Sequence, residues 1–569
     1  MKSILHMLLT LVLLAGGCKE TPRQEPGPKP DGGDTNPTEE LLPPPREGSY
    51  NVFGRVVDAA TGKGLEGVVV SDGQLCVQTR KDGSFYFKSL LYHVRFVFVS
   101  TPSGYLPPVE KGLPRFYKRM ADATLSGSAY DFGTFALTPV QNPDRFTLLV
   151  SADPQPRASS ARYDKIGYHS LEICEDLYTE LARVAAGITD RQVYGICLGD
   201  LVHENMALFD NYAAGLARVG YPTWNVIGNH DNDTSAADDD AAAVPFEEHF
   251  GPRNYSFNVG GIHFVVLDNL IMKMGTERLN AYDQGLTDEI WTWLQGDMAY
   301  IPTTATVMIF AHSPMFKCAS GSERTNTAQH GPDYGGLLDK YAEVHAWAGH
   351  THTSFNYVYP ENHRHKRVQV HTVARSTGEL WTNEYLSGGT PRGFTIVDVD
   401  NGNVSWRFHP TSLQRPAWVS VSTTQAPAYQ WRDWSYDAAG KAVMSDGGIL
   451  DEEYQLHAYP RGAYGDNYVY ANVFLWDDKW EAPVFTPEGG SPVTMEKVTA
   501  EGRHDLATTE IRTAYKTYSP TLAADSGYST NGSADISTLF RAPAAATPRS
   551  GTVSVTDRFG QTYSRQVSW

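Results

Sequence analysis

A layered α/β domain set between two β-sandwiches is the fold class the sequence predicts, and three observations predict it. In the middle of the 569-residue chain, apolar strand-like runs alternate with amphipathic helical stretches, the pattern of an α/β layered domain. Before that region, short runs alternate apolar and polar residues around turns at Thr61-Gly62, Asp72-Gly73 and Asp82-Gly83. After it, short strands return in "YQLHAYP", "YVYANVFLW" and "GTVSVTDRFGQTYSRQVSW".

Residues 1–18, "MKSILHMLLTLVLLAGGC", carry one early lysine, an apolar run too short to span a bilayer, and Ala15, Gly16 and Gly17 before Cys18. This reads as an export signal. The small residues before Cys18 resemble a bacterial lipobox, which implies an acylated Cys18, a membrane anchor through it, and a place in the bacterial cell envelope at the outer membrane. An ordinary cleaved secretory signal is the alternative. Residues 19–48, rich in Pro, Gly and Glu, have little to bury and form a disordered tether. Residues 49–140 form a small β-sandwich whose "DFGTFALTP" closes it; it resembles the carboxypeptidase-regulatory-like module and reads as a spacer, with glycan binding as the alternative. Residues 143–412 are the α/β domain, with buried-strand runs "FTLLVSA", "VYGICLG", "TWNVIG", "FVVLDN" and "VMIFAH" and a helix at "SLEICEDLYTELARVAAG". Residues 413–569 are the second β-sandwich. Cys76, Cys174, Cys197 and Cys318 are widely spaced, with no CxxC pair and no zinc-finger or redox pattern.

With 65 acidic against 47 basic residues, the formal charge is −18. Such a surface repels a phosphate backbone, so no nucleic-acid partner is expected.

The polar groups fall where strands end. Asp153 and Gln155 follow "LLVSA", and Asp200 follows "GICLG". Asn229, His230 and Asp231 follow "NVIG", His312 follows "VMIFA", and His350 and His352 follow "HAWAG". The carboxyl ends of strands are where α/β sheets bind ligands. Carboxylate, amide oxygen and imidazole together suit Mn, Fe or Zn, and no thiolate is offered. A carboxylate such as Asp200 can bridge two ions about 3.5–4 Å apart, an arrangement suited to hydrolysis of phosphate esters.

"DPQ", "GDLVHE", "GNHD", "AHSP" and "GHTH", in this order, resemble the signature of the calcineurin-like metallophosphoesterase superfamily. "HFGPRNYSFNVGGIHFVVLDN" and the terminal "TLFRAP…SGTVSVTDRFGQTYS" are similar to its bacterial subgroup with flanking N- and C-terminal β domains. The resemblance implies a four-layer αββα central domain and two divalent ions, or iron with a divalent ion. It implies that Asp153, Gln155, Asp200 and His352 hold one ion and Asp200, Asn229, His312 and His350 the other. A hydroxide held between the ions would attack a small phosphate monoester or diester. His230 would protonate the leaving oxygen, and Asp231 would orient the turn or the imidazole.

Two positions depart from the pattern. Gln155 stands where most of the family has His, which implies altered metal preference or a first site left partly vacant. His203 stands where an acid commonly supports the catalytic histidine, with Glu204 next along as a substitute. These departures leave a second reading: a non-catalytic surface protein that binds a glycan or partner and keeps a degraded metal site. Other residues read as structural. "ENHRHKRVQVH", from Glu361 to His371, is a solvated hairpin with a strand-borne His371, and His345 is a core histidine. "DTSAADDDAAA" is a mobile acidic loop without EF-hand spacing. Trp476 and Trp480 are strand core. Ser313 and Cys318 lack a nucleophile elbow.

Overall fold

The computed structural model describes residues 41–158, 170–275, 281–316, 329–373, 375–378, 389–411, 432–436, 442–446, 455–498 and 538–569. The signal with Cys18, most of the tether, and Cys318 lie outside them.

Two sheets form the centre. One has five strands in the order Thr223–Asn225, Gln192–Cys197, Arg145–Ser151, Gly393–Asp400, Asn403–Pro410, with the first three parallel. The other has six, in the order Tyr255–Val259, Ile262–Leu267, Thr306–Ala311, Glu343–Ala348, Val368–Thr372, Phe355–Val358, with the middle four parallel. Parallel strands covered on both faces read as continuous apolar runs, which is why these segments stood out. In Arg145–Ser151 the alternation is visible. Phe146, Leu148 and Val150 enter the core shared by the two sheets, and Leu149 packs on the other side against the helix Ser170–Gly187. That helix buries Cys174, Leu177, Tyr178 and Leu181, the i, i+3, i+4, i+7 stripe of an amphipathic helix. Helix Asp288–Met298, which packs into the same core as the second sheet, is capped by Thr287, whose hydroxyl accepts from Ile290 N at 3.3 Å. It buries Trp293 and Leu294.

Toward the N-terminus, the strands Val52–Asp58, Ser84–Phe87 and Ala129–Pro139 form one sheet, and Val69–Ser71, Phe96–Val99 and Tyr117–Arg119 form part of another. They share a core of Val52, Val56, Phe85, Val97 and Phe135. This region packs directly on the central sheets. Phe96, Phe98, Phe116 and Tyr117 belong to the same core as Tyr255, Phe257 and Trp293 of the central domain. Asn258 N donates to Thr101 O at 2.8 Å, and Arg95 pairs with Glu247 at 2.8 Å. Gly251 sits at the seam with φ +90°, where a Cβ would lie 2.2 Å from Tyr117. Toward the C-terminus, two further sheets built on Tyr468–Val473 and Ser550–Thr556 share a core with Phe485, Phe540 and Val553.

Several side chains lie elsewhere than expected. Trp480 is buried in the C-terminal core with Trp476 packed against it, but both stand on a loop rather than a strand. The Glu361–His371 segment does join two antiparallel strands, yet His365 is buried, with Nδ1 2.6 Å from Asp339 Oδ1. Its partner lies 26 residues earlier in the chain, beyond any local spacing. The acidic loop is tied down. Asp239 and Asp240 pair with the half-buried Arg253, and Asp239 Oδ1 accepts from Met272 N at 2.6 Å. His345 is fully buried, with Nδ1 3.0 Å from His371 Nε2. Among the described residues, no helix is long and apolar enough to cross a membrane.

Candidate metal centre

Five parallel strands, three in one sheet and two in the other, end at one place. Asp153, Gln155, Asp200, Asn229 and His312 form a buried floor, while His230, His350 and His352 form a half-exposed rim. Two donor groups converge there: Asp153, Asp200 and His352, and Asp200, His312 and His350. In each, the donor atoms lie within 4.8 Å of one another, and Asp200 is common to both.

Backbone geometry makes the convergence possible. Asp153, Gln155, Asp200, His350 and His352 all have left-handed φ, between +41° and +63°, which non-glycine residues rarely adopt. The chain thus reverses just past each strand and aims the side chain inward. Glycines make room at the close approaches. A Cβ on Gly228 would lie 2.2 Å from Asp200 Oδ1, and one on Gly349 would lie 2.5 Å from Asp153 Oδ2.

Hydrogen bonds then prepare the donors. His312 Nδ1 donates to Leu198 O at 2.7 Å, so the lone pair of the neutral ring is on Nε2. That nitrogen faces Asn229 Oδ1 at 3.1 Å, His350 Nδ1 at 3.2 Å and Asp200 Oδ1 at 3.3 Å. His350 N donates to Asp153 Oδ2 at 3.0 Å, and His352 Nε2 lies 3.5 Å from Asp153 Oδ1. Gln155 bonds Asp200 Oδ2 through its amide nitrogen. Electrostatics match this crowding. Burial works against the Asp200 carboxylate, but His312 and His230 hold it well below the usual range. Burial likewise works against a charged His312, yet Asp200 raises it to about 9. Burial and then His312 push His350 down to about 4. The set of carboxylates, imidazoles and an amide fits borderline divalent cations.

Beside His230, Glu204 Oε1 lies 3.3 Å from Nδ1, so the residue after His203 brings a carboxylate to this ring. His203 stacks on His230 with centroids 4.1 Å apart and contacts Arg157 through Nε2. Burial, then His230 and Arg157, keep His203 neutral. Asp231 orients the turn: its carboxylate accepts from Gly228 N at 2.8 Å, Val202 N at 3.0 Å and Leu201 N at 3.1 Å. Burial and then Asp200 push it up to about 8 against those three donors.

Three nearby residues had no motif to announce them: Arg157, Tyr282 and Arg375. The fully buried Arg375 donates from Nε to Asp153 O at 3.2 Å, and Thr377 Oγ1 donates to Pro154 O at 3.0 Å. The "RST" segment thereby clamps the "DPQ" turn. An arginine directly followed by small residues, Ser376, Thr377 and Gly378, was the available signal.

Fold and site together define an α/β protein with a candidate metal centre at the carboxyl ends of its parallel strands. Comparison with known proteins narrows this. A model of the N terminal of calcineurin-like phosphoesterase matches residues 50–137, and a model of the C terminal of calcineurin-like phosphoesterase matches residues 371–563. The chain belongs to the calcineurin-like metallophosphoesterase superfamily. Among solved structures it is similar to the purple acid phosphatase PPD1 of yellow lupin (Lupinus luteus), at 14% identity over 61% of this chain and 67% of that one, with a TM-score of 0.34. It is also similar to a putative 5'-nucleotidase from Staphylococcus aureus, at 12% identity over 52% of this chain and 56% of that one, with a TM-score of 0.30. The Haemophilus influenzae NAD nucleotidase matches at 11% identity over 53% of this chain and 54% of that one, with a TM-score of 0.26. No curated protein matches.

Proposed function

We propose that the chain is an exported, lipid-anchored hydrolase of small phosphate monoesters or diesters that works with two divalent ions, or iron with a divalent ion. The observation that carries this reading is Asp200, a buried carboxylate common to two donor groups. Asp153, Asp200 and His352, with Gln155 beside them, would hold one ion; Asp200, Asn229, His312 and His350 would hold the other. When bound, such a pair supplies an activated water and neutralises phosphate charge.

The chain's own residues do the rest. His230 stands on the half-exposed rim with Nδ1 against Glu204 and Nε2 4.0 Å from Asp200 Oδ2, so Nε2 faces the centre. Glu204 holds the ring in that orientation, and His230 gives a proton to the leaving oxygen. The three N–H bonds to Asp231 fix the turn on which His230 rides. The apolar run before Cys18 supports export and anchoring, and the charge of −18 supports small esters over nucleic acids.

The test is elemental analysis of the chain from Lys19 onward, with hydrolysis of p-nitrophenyl phosphate and bis-p-nitrophenyl phosphate. Two metals per chain and turnover are expected, with the faster reporter separating monoester from diester preference. At most one metal and no turnover, even with Mn or Fe supplied, would favour the non-catalytic binding protein.

A further inference from the structure

A two-stranded ribbon, Leu270–Met272 paired with Tyr282–Gln284, touches three of the loops that carry candidate ligands. Asn269, at its base, exchanges hydrogen bonds with Ser313, accepting from Ser313 N at 3.2 Å and donating to Ser313 O at 2.5 Å. Gln284 Nε2 donates to Pro314 O at 2.5 Å. Both contacts fall directly after His312. Met272 N is held by Asp239 of the loop after His230. At the third loop, Tyr282 Oη lies 2.7 Å from His350 Nε2.

We propose that Tyr282 is a positioning residue that fixes His350 with Nδ1 turned toward the cation. The inference rests on the two-ion reading above. His350 Nδ1 is the nitrogen that meets His312 Nε2 at 3.2 Å, so it is the one facing the donor cluster. A neutral imidazole that offers the Nδ1 lone pair carries its proton on Nε2. That N–H points to Tyr282, whose phenol oxygen accepts it. The backbone of His350 is held separately by Asp153. Its main chain and its ring are therefore anchored by different partners, and Tyr282, by holding Nε2, sets which nitrogen faces inward. Such outer partners of metal-binding histidines are typically worth 10–100-fold in metal affinity.

The experiment strips metal from the full chain and from Tyr282→Phe, then titrates each with Mn²⁺ or Zn²⁺ against a chelating indicator. The Nε2 ¹⁵N resonance of His350 is read in the metal-free proteins. Tyr282→Phe should keep its thermal midpoint, weaken one of the two equivalents by about 10–100-fold and shift the Nε2 resonance. Asp283→Asn, on the same ribbon with an exposed side chain paired to Lys273, should leave both equivalents intact. If Tyr282→Phe binds two equivalents as tightly as wild type, the inference falls alone. If Asp283→Asn weakens binding equally, the ribbon's fold and not the phenol is responsible, and the inference falls. A wild-type chain that binds neither ion overturns the two-ion reading and this inference with it.

Discussion

Replacing Gly228 with alanine tests the geometry of the centre with a single carbon atom. Gly228 has φ −109° and ψ 172°, which alanine adopts without strain, so space alone decides the outcome. A Cβ there would lie 2.1 Å from Asp200 N and 2.2 Å from Asp200 Oδ1, well inside the 3.0 Å below which real Cβ atoms essentially never sit. Both atoms belong to Asp200, and one is backbone, so a rotamer change cannot relieve the contact. Either the Asp200 loop or the Asn229 loop must retreat by roughly 1 Å, a displacement that costs about 10²-fold in rate when it reaches a reacting geometry. Overpacking itself costs about 1–3 kcal/mol. Gly228→Ala is therefore expected to fold with a lowered thermal midpoint, lose metal, and turn over p-nitrophenyl phosphate about 10²-fold more slowly. Gly261→Ala, whose Cβ would meet nothing within 4 Å, is the control. Wild-type metal content and turnover in Gly228→Ala would refute the placement of Asp200 at the shared position.

His230→Ala should keep its metals and lose about 10²- to 10⁴-fold with alkyl phosphates, whose leaving groups need a proton, but far less with p-nitrophenyl phosphate. Equal losses on both would remove His230 as proton donor. His457 is buried, and burial followed by Arg565 pushes it from 6.5 down to about 3. Between those values the unfolded chain binds a proton that the folded chain does not. Stability must then fall as pH drops from 6.5 toward 3, by up to about 1.4 kcal/mol per pH unit. In His457→Gln the thermal midpoint should depend less steeply on pH across this window, and an unchanged slope would point to other groups.

What was legible in the sequence and what was not divide along a physical line. The strands of the central sheets are buried on both faces, so "FTLLVS" and "TVMIFA" stand out as unbroken apolar runs. Their ends were marked by Asp153 and His312, residue types that rarely sit behind such runs without a task. The seam between Phe98 and Trp293, the clamp of Arg375 on Asp153, and the contact of Tyr282 with His350 are different in kind. Each joins segments tens to hundreds of residues apart with no period or spacing between them. The same holds for His365, read as part of a solvated hairpin, because its partner Asp339 comes from another element. Glu204 was half legible: the sequence offered it one place late, and its left-handed φ of +56° is what brings the carboxylate to His230.

The five left-handed candidate ligands raise the question of why glycine, at ease in that conformation, does not hold those positions. A non-glycine residue there costs about 1–2 kcal/mol, and it persists only where surroundings over-determine it. Here they do, because the loops bind one another: Asp153 N donates to Gly199 O at 3.1 Å, Gln155 N to Asp200 O at 3.0 Å, and Gly349 N to His312 O at 3.0 Å. The strain is kept because each position must present a side chain. Function and stability should therefore separate at Asp200. In metal-free protein, Asp200→Gly should be more stable than Asp200→Ala by about 1 kcal/mol, read as the difference in urea midpoints, although neither variant can bridge two donor groups. Both variants lose the same carboxylate and leave nearly the same space, so the comparison isolates the backbone. An alanine variant at least as stable as the glycine variant would mean that the turn after Gly199 stores no strain, and that the ligand conformations need another cause.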